Sequence, residues 1–264
     1  MRLRMYRVDA FTDTVFRGNP AGVVPLRRWL DDGVMQSLAM ENNLSETAFF
    51  VPEGAAFSLR WFTPSAEVPL CGHATLATGY VILRILQPAR KSVRFHTRSG
   101  ELIVTRYKDL QVMDFPRYKP QRCDPPAGLE QALGARPAEV WNTKEDQHFY
   151  AIFESAAVIR SMVPDMAKLA ALHPYQVSVS APGDGEDFVS RFFAPGIGIP
   201  EDPVTGSMHC ALIPYWAERL GKSKLSARQV SKRGGELFCE DLPEAGRVRI
   251  SGRAVLSLTG YVTI

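Results

Sequence analysis

The chain has four cysteines, Cys71, Cys123, Cys210 and Cys239, and no CxxC pair among them. Its five histidines do not flank them at metal-ligand spacing. A zinc-ribbon or disulfide scaffold is therefore not expected, and the thiols read as those of a reducing, cytoplasmic protein. A long hydrophobic run is also missing. The most apolar stretch, Ala77 to Leu86, is interrupted by Arg84 and is too short to span a bilayer. The start, Met1-Arg2-Leu3-Arg4-Met5-Tyr6, lacks the apolar centre of a secretory signal. No basic arm exists: the net charge of +3 is spread over single residues and short pairs such as Arg27-Arg28 and Lys232-Arg233. Neither nucleic acid nor membrane is an expected partner. What remains is a 264-residue chain, 45% hydrophobic and 22% charged, the composition of a soluble globular protein with one large domain or two ordinary ones.

An internal repeat is the strongest feature present. Arg60-Trp61-Phe62-Thr63-Pro64, then Pro69, then Cys71-Gly72-His73-Ala74 resembles Arg191-Phe192-Phe193-Ala194-Pro195, then Pro200, then Thr205-Gly206-Ser207-Met208. The Arg, the aromatic pair and both prolines recur 131 positions apart, the glycines 134 apart. This reading puts the three extra residues of the second copy around Glu201-Asp202-Pro203 and leaves Glu46 outside the repeat. A duplication predicts two lobes facing each other, with a small-molecule cleft between them.

Periodicity predicts strands at Leu3–Phe11, Val23–Leu26, Thr47–Val51, Phe57–Phe62 and Leu110–Phe115. It predicts a hairpin from Val93 to Arg106 turning at Ser99-Gly100. Asp31-Asp32 opens an amphipathic helix with Val34, Met35, Leu38 and Ala39 on one face. Leu76–Leu86, apolar nearly all round, reads as an enclosed helix. Pro116, Pro120, Pro125 and Pro126 mark a linker. Beyond it come strands at 149–153, 175–180, 188–193, 225–230, 236–239, 247–250 and 254–264, and a helix from Ser207 to Leu220 that stops at Gly221. Strands with few helices between them predict an α+β fold, mostly antiparallel. The lobes are expected at 1–116 and 117–254, with the strand at about 255–264 able to return to the first. Loops such as Asn142–His148 and Pro182–Asp187 are expected to wall the pocket.

Each repeat ends in a glycine-led helix start. Two such ends, with free N–H groups and positive dipole ends, suit a substrate carboxylate.

Several stretches resemble the phenazine biosynthesis PhzF-like family. These are Val8-Asp9-Ala10-Phe11, Gly18-Asn19-Pro20-Ala21-Gly22-Val23, Asn43-Leu44-Ser45-Glu46-Thr47-Ala48-Phe49, Phe62-Thr63-Pro64, Cys71-Gly72-His73-Ala74-Thr75 and Glu201-Asp202-Pro203-Val204-Thr205-Gly206-Ser207. The resemblance implies a diaminopimelate epimerase-like fold of two pseudo-symmetric lobes, each a curved sheet around a central helix. It implies a homodimer and isomerase chemistry with no metal or cofactor. It places the acid/base on Glu46, assisted by His73 and Asp202. Gly72, Cys71, Thr205, Gly206 and Ser207 are placed around a small carboxylate substrate. Glu46 needs a pKa raised toward neutrality, for which burial beside Ala48, Phe49 and Phe50 is the expected cause. His73 can donate or relay a proton, and Asp202 can bind a substrate amine or hydroxyl or orient His73. Ser207 offers a hydroxyl or a local cap, and His209 reads as structural. In the epimerase and racemase relatives two cysteines precede the two glycines. Here the pair is Cys71 and Thr205, and a Thr hydroxyl is too weak an acid to serve as the second member. The helix end could still lower the Cys71 pKa. The main reading is a cofactor-independent isomerase driven by Glu46. The alternatives are a Cys71-based epimerase or dehydratase of an amino or hydroxy acid, and a catalytically idle scaffold or ligand-binding protein of the same fold.

Overall fold

A computed structural model describes residues 1–143 and 147–264. Of the loop 142–148, residues 144–146 lie outside the described residues. The chain is α+β and divides into two compact units, residues 1–114 with 251–264, and residues 115–250. Among the described residues, no helix is long and apolar enough to cross a membrane.

The first unit contains β1 (Arg2–Ala10), β2 (Asn19–Pro25), α1 (Asp32–Asn42), β3 (Glu46–Glu53), β4 (Ala56–Phe62), β5 (Glu67–Val68) and α2 (Gly72–Tyr80). After them come β6 (Ser92–Thr97), β7 (Gly100–Tyr107) and most of β8 (Leu110–Pro116). The second unit contains β9 (Gln121–Arg122), α3 (Leu129–Leu133), β10 (Glu139–Thr143), β11 (His148–Ile152), α4 (Ala156–Ser161), α5 (Met166–Ala170), β12 (Gln176–Pro182) and β13 (Phe188–Ala194). It continues with β14 (Ile199–Asp202), α6 (His209–Leu220), β15 (Lys224–Gln229), β16 (Gly235–Leu242) and most of β17 (Arg247–Gly252). The last strand, β18 (Ala254–Thr263), belongs to the first unit, where it pairs antiparallel with β1 from Arg2↔Thr263 to Ala10↔Ala254.

Most pairs are antiparallel. Four are parallel: β2–β3 and β4–β6 in the first unit, β11–β12 and β13–β15 in the second. Each parallel pair is joined through helix, namely α1, α2, α4 with α5, and α6, because only a crossover can return a chain to the same direction. The order of pairings is the same in both units, so the duplication extends well beyond the two motifs.

Local chemistry explains the helix limits. Asp31 caps α1 by accepting from Gly33 N at 2.9 Å. The helix ends at Asn43 in the left-handed region (φ 46), where an Asn is tolerated better than most side chains. Met35, Leu38 and Ala39 are buried as expected, but Val34, in the exposed first turn, is not. The apolar run to Leu86 is not one α-helix. α2 passes at Val81–Leu86 into π-helical turns, with Gln87 N donating to Ile82 O at 2.7 Å. α2 is apolar on all sides because it is enclosed, packing on β1, β2, β3 and β7. Gly79 is required there, since a Cβ would lie 2.6 Å from Val104 Cγ1.

The proline-rich segment is more than a linker. Pro214 inside α6 cannot donate to the carbonyl four residues back, and Tyr118 N donates to that carbonyl, Cys210 O, at 3.0 Å. Arg117 then forks onto Asp241 (2.7 and 3.1 Å), and Gln121–Arg122 pairs with β10 as β9. α6 starts at His209 rather than Ser207, and ends at Gly221 in the left-handed region (φ 65).

The structure relocates the three extra residues of the second copy. Arg60 grips Glu67 through two bonds (2.7 and 2.8 Å), and Arg191 grips Glu201 the same way (2.7 and 3.0 Å). Trp61 pairs with Val68, and Phe192 with Asp202. Phe192 stands 131 positions after Trp61, whereas Asp202 stands 134 after Val68. The gain therefore lies in the turn between β13 and β14, where Pro195–Ile197 forms a 3-10 turn, and not around Glu201-Asp202-Pro203. Pro203, not Pro200, matches Pro69.

The two arginines differ in what else they hold. Arg191 Nη1 also donates to Ile159 O (3.2 Å) and Met162 O (2.7 Å), closing the end of α4. Glu67 has a second cation, Arg98, at 2.9 Å. Arg191→Met is expected to destabilise by about 2–3 kcal/mol, because it strands a carboxylate and two carbonyls. Arg60→Met is expected to cost less, and urea titration of both variants compares them.

Candidate active site

The turn Asn43-Leu44-Ser45 after α1 delivers Glu46 to the first position of β3, beside Ala21 of β2. α2 begins one residue after Cys71, whose extended backbone (φ −146, ψ 111) brings the chain in from β5. These two starts bring Glu46, Cys71 and His73 together, with donor atoms all within 4.8 Å of one another. All three are nearly sealed from solvent, at 8%, 7% and 5% exposure.

The imidazole of His73 bridges the group. Its Nε2 lies 3.0 Å from Glu46 Oε2, at ion-pair distance but without the alignment of a hydrogen bond. Its Nδ1 faces Cys71 Sγ at 3.5 Å and Asn19 Nδ2 at 3.2 Å. Burial works against a charge on His73, but the charge of the Glu46 carboxylate beside its Nε2 opposes this and holds its pKa above the ordinary histidine value. The expectation for Cys71 is overturned. Burial, and next the charge of Glu46, push its thiol up to about 11, and His73 with the Ala74 N–H only partly offset this. A helix end lowers a thiol pKa where water can reach it; sealed beside a carboxylate, Cys71 stays a thiol at neutral pH.

The stretch 18–23 that carries the family resemblance includes Asn19 without giving it a role. Asn19 is fully buried at the start of β2, with its amide on His73 Nδ1. An amide presents a donor and an acceptor, so it can donate to Nδ1 of a neutral ring or accept from Nδ1–H of a charged one. Either way Nε2 keeps its proton toward Glu46. Asn19→Ala is expected to lower turnover about 10–100-fold, the value of one hydrogen bond to a charged group. Steady-state kinetics should place the loss in kcat rather than KM.

Gly72 is the first residue of α2, in the same unit, and the other expected residues lie in the second unit. Thr205 Oγ1 donates to Asp202 Oδ2, and Thr205 N donates to Gln229 Oε1 at 2.7 Å. Gln229 Nε2 returns to Asp202 O at 2.7 Å. Gly206 is buried, and Ser207 is exposed in the turn before α6. His209 Nδ1 donates to Thr205 O at 2.7 Å, a backbone role, with burial pushing its pKa down to about 4. Gln229 was not foreseen, although an amide on the buried side of Leu225-x-Ala227-x-Gln229 was the available signal.

Glu46 proves to lie inside the repeat. Thr47 pairs with Phe62, and Val177 with Phe193, the counterpart of Phe62. Glu46 pairs in parallel with Ala21 as Gln176 does with His148. Gln176 therefore stands in the place of Glu46, with Thr205 for Cys71 and Ser207 for His73. Only the first copy holds an ionisable set.

Comparison with known proteins follows the same geometry. Residues 8–260 match the family described as phenazine biosynthesis-like protein. This chain belongs to that family. It is 50% identical over 260 residues to a Pseudomonas aeruginosa protein named an uncharacterized isomerase, covering 98% of each chain. A mouse protein, phenazine biosynthesis-like domain-containing protein 2, is 41% identical with 100% of each covered. The crystal structure of a PhzF family protein from Enterococcus faecalis superposes with a TM-score of 0.96 at 44% identity, covering 100% of both chains. Relatives in this family carry the name isomerase, and a general isomerase activity is the level at which they support a function for this chain.

Proposed function

We propose that this family member is an isomerase that moves a proton within a small carboxylate, with Glu46 removing the proton from carbon and returning it at another atom. The observation that carries this reading is the buried contact of Glu46 with His73 at 3.0 Å beside a cysteine whose thiol is pushed up to about 11. At neutral pH Cys71 keeps its proton and is a poor base, so the acid/base work falls to the carboxylate. His73 holds a proton on Nε2 next to it and can steady the charge that develops on the substrate. The first turn of α2 offers N–H groups with no side-chain cap from Cys71, which suits the substrate carboxylate. Asp202, Thr205, Gly206 and Ser207 enter the proposal from the repeat and the family resemblance, with Asp202 holding a substrate amine or hydroxyl.

The test is incubation of candidate small carboxylates in D₂O, followed by NMR. Wild type should isomerise one of them or exchange a carbon-bound proton. Glu46→Gln should lose this, while Cys71→Ser falls by less than about tenfold, the cost of one weak neighbour. The reverse pattern would transfer the role to Cys71. Absence of exchange in wild type across a broad panel would favour a binding role for the fold.

A further inference from the structure

We propose that a groove of about 430 Å³ in the second unit binds a small planar aromatic carboxylate, at a place that shares no residue with the candidate active site. The groove lies between the proline-rich segment 117–122, the start of β10 and the second half of α6. Its volume is that of an ordinary small-molecule pocket. Its walls are fixed before any ligand arrives. Tyr118 N on Cys210 O holds the segment to α6, and the Arg117 fork holds it to Asp241. The pairing of Arg122 with Trp141 holds it to β10. A preformed site loses little to ordering when a ligand enters.

The lining has an aromatic side and a cationic side. Trp141 and Tyr215, both half-buried, meet edge to face with ring centroids 5.4 Å apart. One carboxylate locks them in place. Glu139 Oε2 accepts from Trp141 Nε1 at 2.8 Å and from Tyr215 Oη at 3.2 Å, and its Oε1 accepts from Arg219 Nη1 at 2.9 Å. The polar edges of both rings are thus satisfied within the protein, and their apolar faces are what they offer to a further ring. The charges point to an anion. Arg117 is balanced by Asp241, and Arg219 by Glu139. Lys119 and Arg122, both exposed, have no ion-pair partner among the described residues, and Glu218 on α6 is the unpaired acid of the lining. Two free cations against one free acid leave a single positive charge, which matches a monoanion. Arg122 stands opposite Trp141 in register, so their side chains share one face of the sheet. A ring laid on Trp141 therefore brings a carboxylate one or two bonds from that ring toward the guanidinium.

The test is calorimetric titration of the full chain with indole-3-acetate. Cyclohexylacetate (the same charge without an aromatic ring) and tryptamine (the same ring with the opposite charge) serve as controls. Indole-3-acetate should bind at least about fivefold more tightly than either. Trp141→Leu should weaken it by about fivefold or more, and so should the double variant Lys119→Ala with Arg122→Ala, an exposed change that leaves the core intact. Lys91→Ala, in a cationic groove of the first unit beside Arg90 and Arg94, should bind like wild type. Glu46→Gln should also bind like wild type, since the groove does not depend on the isomerase reading. Wild-type affinity in the double variant, or equal binding of cyclohexylacetate or tryptamine, would overturn the site. Loss of binding in Glu46→Gln would move the ligand to the candidate active site and overturn it as well, as would no binding of indole-3-acetate at all.

Discussion

Glu46→Gln is expected to lower proton exchange by about 10²–10⁴-fold, the usual contribution of a positioned acid/base. The substitution keeps the shape and length of the side chain. An amide oxygen can still sit against His73 Nε2, and the first residue of β3 keeps its pairing with Ala21. What disappears is the capacity to take up and release a proton at that atom. Folding should be retained, because a buried carboxylate at 8% exposure is replaced by a neutral group of the same volume. A circular dichroism spectrum and a denaturation midpoint near those of wild type, with exchange lost, are the expected pair of results. Exchange at the wild-type rate would remove Glu46 from the mechanism.

The second large effect is acid lability from His209. Its Nδ1–H is committed to Thr205 O, and its Nε2 is buried without a partner. Charging the ring would place an unpaired N–H⁺ in the core, so burial depresses the folded pKa to about 4. Unfolded, the same ring titrates near its ordinary value of 6.5. Above that value neither state binds the proton, and the fold carries no penalty. Between about 6.5 and 4 the unfolded chain takes it up first, and stability falls as pH falls; below 4 both states hold it. The span corresponds to about 3 kcal/mol at 1.36 kcal/mol per pH unit. Urea unfolding at a series of pH values checks this. The slope of stability against pH should be steeper in wild type than in His209→Asn by up to one proton between pH 6.5 and 4. Equal slopes would show that His209 does not titrate as a buried neutral group.

Periodicity and end chemistry made α1, the body of α2, the end of α6 at Gly221 and the turn at Ser99-Gly100 legible. Their signals are local, namely an Asp cap, an apolar stripe and a left-handed glycine. α3, α4 and α5 were not legible, because helices of five or six residues are too short to show a period and are held by packing into the core around Ala151, Val177 and Phe193. The repeat was visible, but its alignment was misread at Pro200. Two prolines at one offset looked equivalent until strand pairing showed that Asp202 stands where Val68 does.

The candidate site divides the same way. Glu46 and His73 were found through motifs, as residue types able to carry protons. That Asn19 would serve His73, that Gln229 would tie Thr205 to Asp202, and that Cys71 would be a sealed thiol depended on contacts between residues 24 to 54 positions apart.

By itself the sequence determined the fold class, the duplication and the family, since alternation, caps and repeated motifs are written along the chain. Only the tertiary structure decided which copy gathers a buried cluster of ionisable side chains. Parallel pairing sets Gln176 opposite His148 where Glu46 stands opposite Ala21, and burial settles the proton on Cys71. Register and desolvation are properties of neighbours brought together by folding, and no single stretch of chain contains them.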